Sequence, residues 1–72
     1  MKWSRKAVLE RGKHYVDHIA EDDKHRVAEG YDTEAAADGF PYSLLASERG
    51  TERFVRQFDS IASAKRFAEK RK

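Results

Sequence analysis

The chain has 72 residues, one proline and no cysteine, and its 15 Lys+Arg against 13 Asp+Glu give a formal net charge of +2. That length leaves room for one small domain over residues 1–72, and no stretch reaches the ~18 apolar residues of a membrane span. Without cysteine there is no disulfide staple, no thiolate metal site and no cysteine nucleophile. The basic start is followed by no apolar run, so no secretory leader is expected, and the expected address is intracellular and cytoplasmic. Charged and hydrophobic residues each make up 39%, a composition shared by small folded domains and by disordered ones. Eight aromatic residues decide for the folded class, because they supply a core.

Taken in chain order, residues 4–11 are compatible with a short helix, with Ser4 as its N-cap and Gly12 just past its end. Residues 14–31 fit two templates. As a helix, Tyr15, Val16, Ile19, Ala20 and Val27 gather on one face, with Asp23 in their midst. As a hairpin, residues 15–20 and 25–31 are strands around the turn Glu21-Asp22-Asp23-Lys24. The hairpin is preferred, because three acids suit a turn and a second strand pair needs neighbours. Residues 32–39 form a polar, alanine-rich connection with room for one helical turn at 34–38.

The C-terminal half is more regular. Phe40, Tyr42, Leu44 and Ala46 alternate with mostly polar residues, the period of a half-buried strand. Ser47-Glu48-Arg49-Gly50-Thr51 reads as the turn, and residues 52–58 as the returning strand, with Phe54 and Phe58 on one face. Asp59 and Ser60 are both N-cap candidates for the helix that follows. Ile61, Ala64, Phe67 and Ala68 fall within an arc of roughly 120° on that helix, and Phe54, Phe58 and Phe67 are the expected core beneath it. The expected fold is α+β: a small antiparallel sheet of three or four strands, the C-terminal helix on one face and a short N-terminal helix as an addition.

Charge is segregated along the chain. Residues 1–13 carry a net +4, residues 14–45 a net −6 and residues 46–72 a net +4. Segregated charge steers and orients encounters with a partner more than it adds affinity. The acidic residues Glu21, Asp22 and Asp23, with Tyr31, are the candidate contacts for a protein partner. Lys2, Arg5, Lys6, Arg66, Lys70, Arg71 and Lys72 are the candidate contacts for nucleic-acid phosphates. Trp3 and Tyr31, at segment ends, are the aromatics expected to be exposed.

Catalytic and ligand motifs are missing. His14 and His18 share a face on either template, but no H-E-x-x-H is present and surface histidines are the expectation. The serines lie in no G-x-S-x-G, the four glycines form no phosphate-binding loop, and the acids do not have calcium-loop spacing. No enzymatic activity, no cofactor and no metal are therefore expected.

The stretch Phe58-Asp59-Ser60-Ile61-Ala62-Ser63-Ala64-Lys65 resembles an ending found in small phage and prophage accessory proteins. There an aromatic ends a strand, an Asp/Ser cap follows, and an alanine-bearing helix lies on an antiparallel sheet. It is also similar to the strand-to-helix junction of the AP2-like arm-binding domains of phage-type integrases; the likeness covers about residues 42–68. The acidic middle departs from the basic sheet with which those integrase domains read DNA. The accessory class includes inhibitors of host nucleic-acid machinery and of bacterial defence systems, anti-CRISPR proteins among them. The resemblance thus implies a non-catalytic module that docks on such a host protein and occludes its working site. Direct nucleic-acid binding is the alternative, and self-association through an open sheet edge a third reading.

Overall fold

A computed structural model describes residues 2–10, 12–31 and 33–71. In chain order they form β1 (Trp3–Glu10), β2 (Lys13–Ala20), β3 (His25–Glu29), α1 (Thr33–Ala37), β4 (Tyr42–Glu48), β5 (Thr51–Phe58) and α2 (Ile61–Lys70). The strands make one antiparallel sheet in the order β1-β2-β3-β4-β5, so every strand pairs with its neighbour in sequence. The α+β class holds, with five strands where three or four were expected.

The extra strand is β1. Residues expected as a short helix run instead as an eight-residue ladder against β2, from Trp3↔Ala20 to Glu10↔Lys13. Arg11, at the end of that expected helix, lies outside the described residues. Ser4 caps nothing; its hydroxyl donates to the Ile19 carbonyl across the ladder at 3.4 Å. Pairing prevails over the local capping signal because β2 would otherwise present an unpaired edge. The hairpin reading of residues 14–31 is the observed one. Its turn is fixed by Asp22, whose carboxylate accepts from the Lys24 N–H at 2.8 Å, and by Asp23 at φ +58.

The β4–β5 turn places both Arg49 (φ +52) and Gly50 (φ +81) in the left-handed region, the geometry of a two-residue primed hairpin. One residue of β5 is then inserted: Leu44 faces Arg56 while Leu45 faces Phe54. This bulge at Val55 inverts the face of everything before it. Phe58 is buried and Phe54 is 53% exposed, so the two phenylalanines do not share a face, and Phe54 is not core.

Helix α2 starts where Ser60 adopts extended dihedrals and its hydroxyl accepts from the Ser63 N–H at 3.2 Å. Ala64 and Ala68 are completely buried and set the helix close against Val27, Leu44 and Phe58. Phe67 packs beside Phe58, ring centroids 5.4 Å apart, and Trp3, Tyr42 and Val55 close the margins. Trp3 is therefore half-buried rather than exposed. Its indole N–H donates to Glu69 at 3.2 Å, and the Lys65 ammonium lies 5.6 Å from its ring centre.

Only one face of the sheet carries α2. At the margin of the other, Gly30 (φ +71) lets Tyr15 lie on the backbone: a Cβ there would come within 2.6 Å of the tyrosine ring.

Candidate functional site

Register assigns each strand residue to a face, and the two faces differ in chemistry. The uncovered face carries Val8 from β1, Tyr15, Asp17 and Ile19 from β2, Arg26 and Ala28 from β3, Leu45 from β4 and Glu52 and Phe54 from β5. Arg26 lies at its centre, over Leu45. The guanidinium Nε and Nη2 donate to the two oxygens of Glu52 at 3.0 and 2.7 Å, and Nη1 donates to Asp17 at 2.6 Å. The fork held by Glu52, more than the bond to Asp17, keeps the guanidinium proton more firmly bound than usual, against the effect of burial. The cation at the centre of the face is thus paired on both sides, with Glu52 and with Asp17, which is buried beneath it.

Around this centre stand rings. Tyr15 is half-buried, Tyr31 is 58% exposed and Phe54 is 53% exposed. Val8, Tyr15, Arg26, Ala28 and Tyr31 border a pit of about 30 Å³, room for one water and no organic ligand. The neighbouring polar residues are committed to the scaffold: the buried Ser43 hydroxyl donates to Gln57, whose amide donates to the Phe40 carbonyl at 2.9 Å.

The face bearing α2 gathers a cluster of cations. Arg5 on β1, Arg53 and Arg56 on β5, and Lys65, Arg66, Lys70 and Arg71 on and just after α2 lie on this side. The Arg56 guanidinium sits 5.5 and 5.7 Å from the ring centres of Phe58 and Phe67. Towards the end of the sheet, Lys24, His25, Arg49, Arg53 and Arg71 line an open groove of about 930 Å³. Its two acids are already engaged, Asp22 with His25 at 3.2 Å and Glu48 with Arg53 at 3.0 Å.

The candidate residues from the sequence are redistributed accordingly. Glu21, Asp22 and Asp23 sit in the β2–β3 turn and Tyr31 just beyond β3, so the length of that strand, about 16 Å at 3.3 Å per residue, separates them. They do not form one patch, and Asp22 is spent on the turn. Of the basic set, Arg5, Arg66, Lys70 and Arg71 come to the α2 side, Lys6 points to the opposite face, Lys2 precedes β1, and Lys72 lies outside the described residues. Phe54, Tyr15 and Arg26 were missed as site residues; only the bulge puts Phe54 on this face, and no motif in the sequence marks a bulge. Among the described residues no three His, Cys, Asp or Glu side chains are grouped as metal ligands, and no helix is long and apolar enough to cross a membrane.

His18 is a titratable group placed in the core layer. It is 8% exposed, its Nδ1 has no hydrogen-bond partner, and Arg5 is its cross-strand neighbour. Burial lowers its pKa first, then Lys65 and Arg5, while Asp17 and Glu29 oppose them. The folded state therefore takes up this proton less readily than the unfolded chain, where the imidazole titrates near 6.5. The stability contributed by neutral His18 is complete above pH 6.5 and is lost as pH falls through the lowered folded value. Urea midpoints measured at pH 7.5 and pH 5.0 are expected to fall further for the native chain than for His18→Leu; equal declines would contradict this placement.

No protein-family model, no curated protein and no solved structure matches the chain.

Proposed function

We propose that this chain is a non-catalytic binding module of phage or mobile-element type, which inhibits a host nucleic-acid-handling or defence protein by docking on it through the uncovered face of its sheet. One observation carries the reading: three aromatic side chains, Tyr15, Tyr31 and Phe54, stand around an arginine whose charge is already neutralised within the same face. Aromatic residues and arginine are the types enriched at the buried centres of protein interfaces and among their energetic hot spots. An isolated charge would cost desolvation on docking; here the ion pairs are formed before the partner arrives. Strands hold Tyr15, Arg26 and Phe54, and Tyr31 lies just beyond β3, so little backbone ordering remains to be lost. A standard interface buries ~800 Å² per partner, an area within reach of a body 31 × 22 × 21 Å. Occlusion needs no chemistry from the inhibitor, and the buried polar Asp17 and Ser43 are both used within the scaffold. The resemblance of residues 58–65 to phage accessory proteins supplies the class of partner.

Immobilised protein is expected to retain a stoichiometric partner from bacterial lysate, and Phe54→Ala/Tyr31→Ala is expected to abolish that retention at unchanged circular dichroism. Retention untouched by these two changes, or lost instead on Glu21→Lys/Asp23→Lys, would overturn the assignment of the docking face.

A further inference from the structure

We infer that the α2-bearing side is a second, separate binding surface, for the phosphodiester backbone of duplex nucleic acid. The fold brings together cations that lie far apart in sequence. Lys65 reaches towards Trp3 and Arg5 on β1; Arg66 and Lys70, one helical turn apart, stand on the outer side of α2; Arg71 ends the helix in the groove with Arg53, Arg49 and Lys24. Together these residues mark a track from β1 over the helix to the β4–β5 turn.

Three of the acids along it are already engaged. Glu69 accepts from Trp3, Glu48 from Arg53, and Asp22 belongs to its own turn and to His25. Glu29 lies beside His18, and Glu21 and Asp23 mark the outer limit of the track at the tip of the β2–β3 turn. Of the other described acids of residues 14–45, Asp17 is closed by Arg26 on the opposite face, and Glu34 and Asp38 lie in the β3–β4 connection. The formal charge of +2 conceals a polarised molecule.

The aromatic rings on this side decide which form of nucleic acid fits. Binding to single strands relies on rings free to stack with bases. Here Lys65 covers the Trp3 ring, and Arg56 lies over both Phe58 and Phe67. Of the exposed rings, Tyr31 and Phe54 belong to the other face, and Phe40 lies in the connection that precedes β4. Cations without a stacking platform suit contacts to phosphates, which position a duplex without reading its sequence.

The test is fluorescence anisotropy with a mixed-sequence 20-base-pair duplex, the single strand of the same length, and poly-L-glutamate as competitor. Neutralising about four phosphates gives a log–log salt slope near −3.6, so affinity is expected to fall about a hundredfold between 50 and 200 mM salt. Arg66→Glu/Lys70→Glu on the helix and Arg49→Glu/Arg71→Glu at the groove are each expected to weaken binding at least tenfold, with unchanged melting temperature. Phe54→Ala/Tyr31→Ala is expected to leave duplex binding intact, which separates this surface from the docking face. Tighter binding to the single strand, displacement by poly-L-glutamate at equal charge, no duplex binding at 50 mM salt, or either charge-reversed pair binding as the native chain does would each overturn the inference.

Discussion

Leu44→Ala is expected to cost about 2–5 kcal/mol, the range for truncating a large aliphatic side chain in a closed core. Leu44 is completely buried at the point where β4 meets α2, in one cluster with Val27, Phe58, Ala64 and Ala68. The surrounding groups cannot easily collapse into the gap. Two of them are alanines, already in contact with the sheet, and the strand backbone is pinned by β3 on one side and β5 on the other. A chain of 72 residues has about 4–11 kcal/mol of stability on ordinary per-residue values. The loss is therefore a large part of the total, and the variant should be measurably unfolded at modest urea. Equilibrium urea denaturation followed by far-ultraviolet circular dichroism gives the comparison; a midpoint within error of the native chain would mean that α2 is not seated as described.

The second large effect is expected at Arg26. Arg26→Met should destabilise by roughly 3 kcal/mol, the lower end for breaking a buried ion pair, since Glu52 is partly exposed to water. The loss comes less from the missing attraction than from what stays behind: the Asp17 side chain is 8% exposed and would be left charged without a partner. The double variant Asp17→Val/Arg26→Met should consequently be more stable than Arg26→Met alone, because it removes the stranded carboxylate with its cation. A double variant that loses the sum of the two single effects would show that Asp17 and Arg26 act independently.

What the sequence made legible follows from where side chains have unequal surroundings. The β4–β5–α2 unit was readable because Tyr42, Leu44 and Ala46 face a helix while the β5 side is punctuated by Arg49-Gly50, and Ser60 marks the helix start. The β2–β3 hairpin was readable from its acidic turn. Strand β1 was not, because it lies at the sheet edge, where Arg5, Lys6 and Ala7 are all exposed and no alternation between oil and water is imposed on them. Phe54 was misassigned for a different reason. Period-two counting assumes unbroken pleating, and one extra residue at Val55 is enough to turn the ring outward. The same insertion scattered the site: exposed Tyr31 was anticipated, while its companion on the far side of Arg26 was placed in the core. The cations were anticipated as a set, Arg53, Arg56 and Lys65 among them, but only the folded arrangement separates Lys6 from the rest and adds Lys24 and Arg49.

The meander has a kinetic consequence. Each strand finds its partner across a short connection, so little loop entropy opposes any single pairing, and the sheet is expected to assemble quickly for an all-antiparallel topology. Only the seating of α2 beside β1 spans nearly the whole chain, from Trp3 to Glu69. Trp3 is the sole tryptophan, so its emission reports this long-range closure. In a stopped-flow experiment it would separate the arrival of the helix from the formation of the strands beneath it.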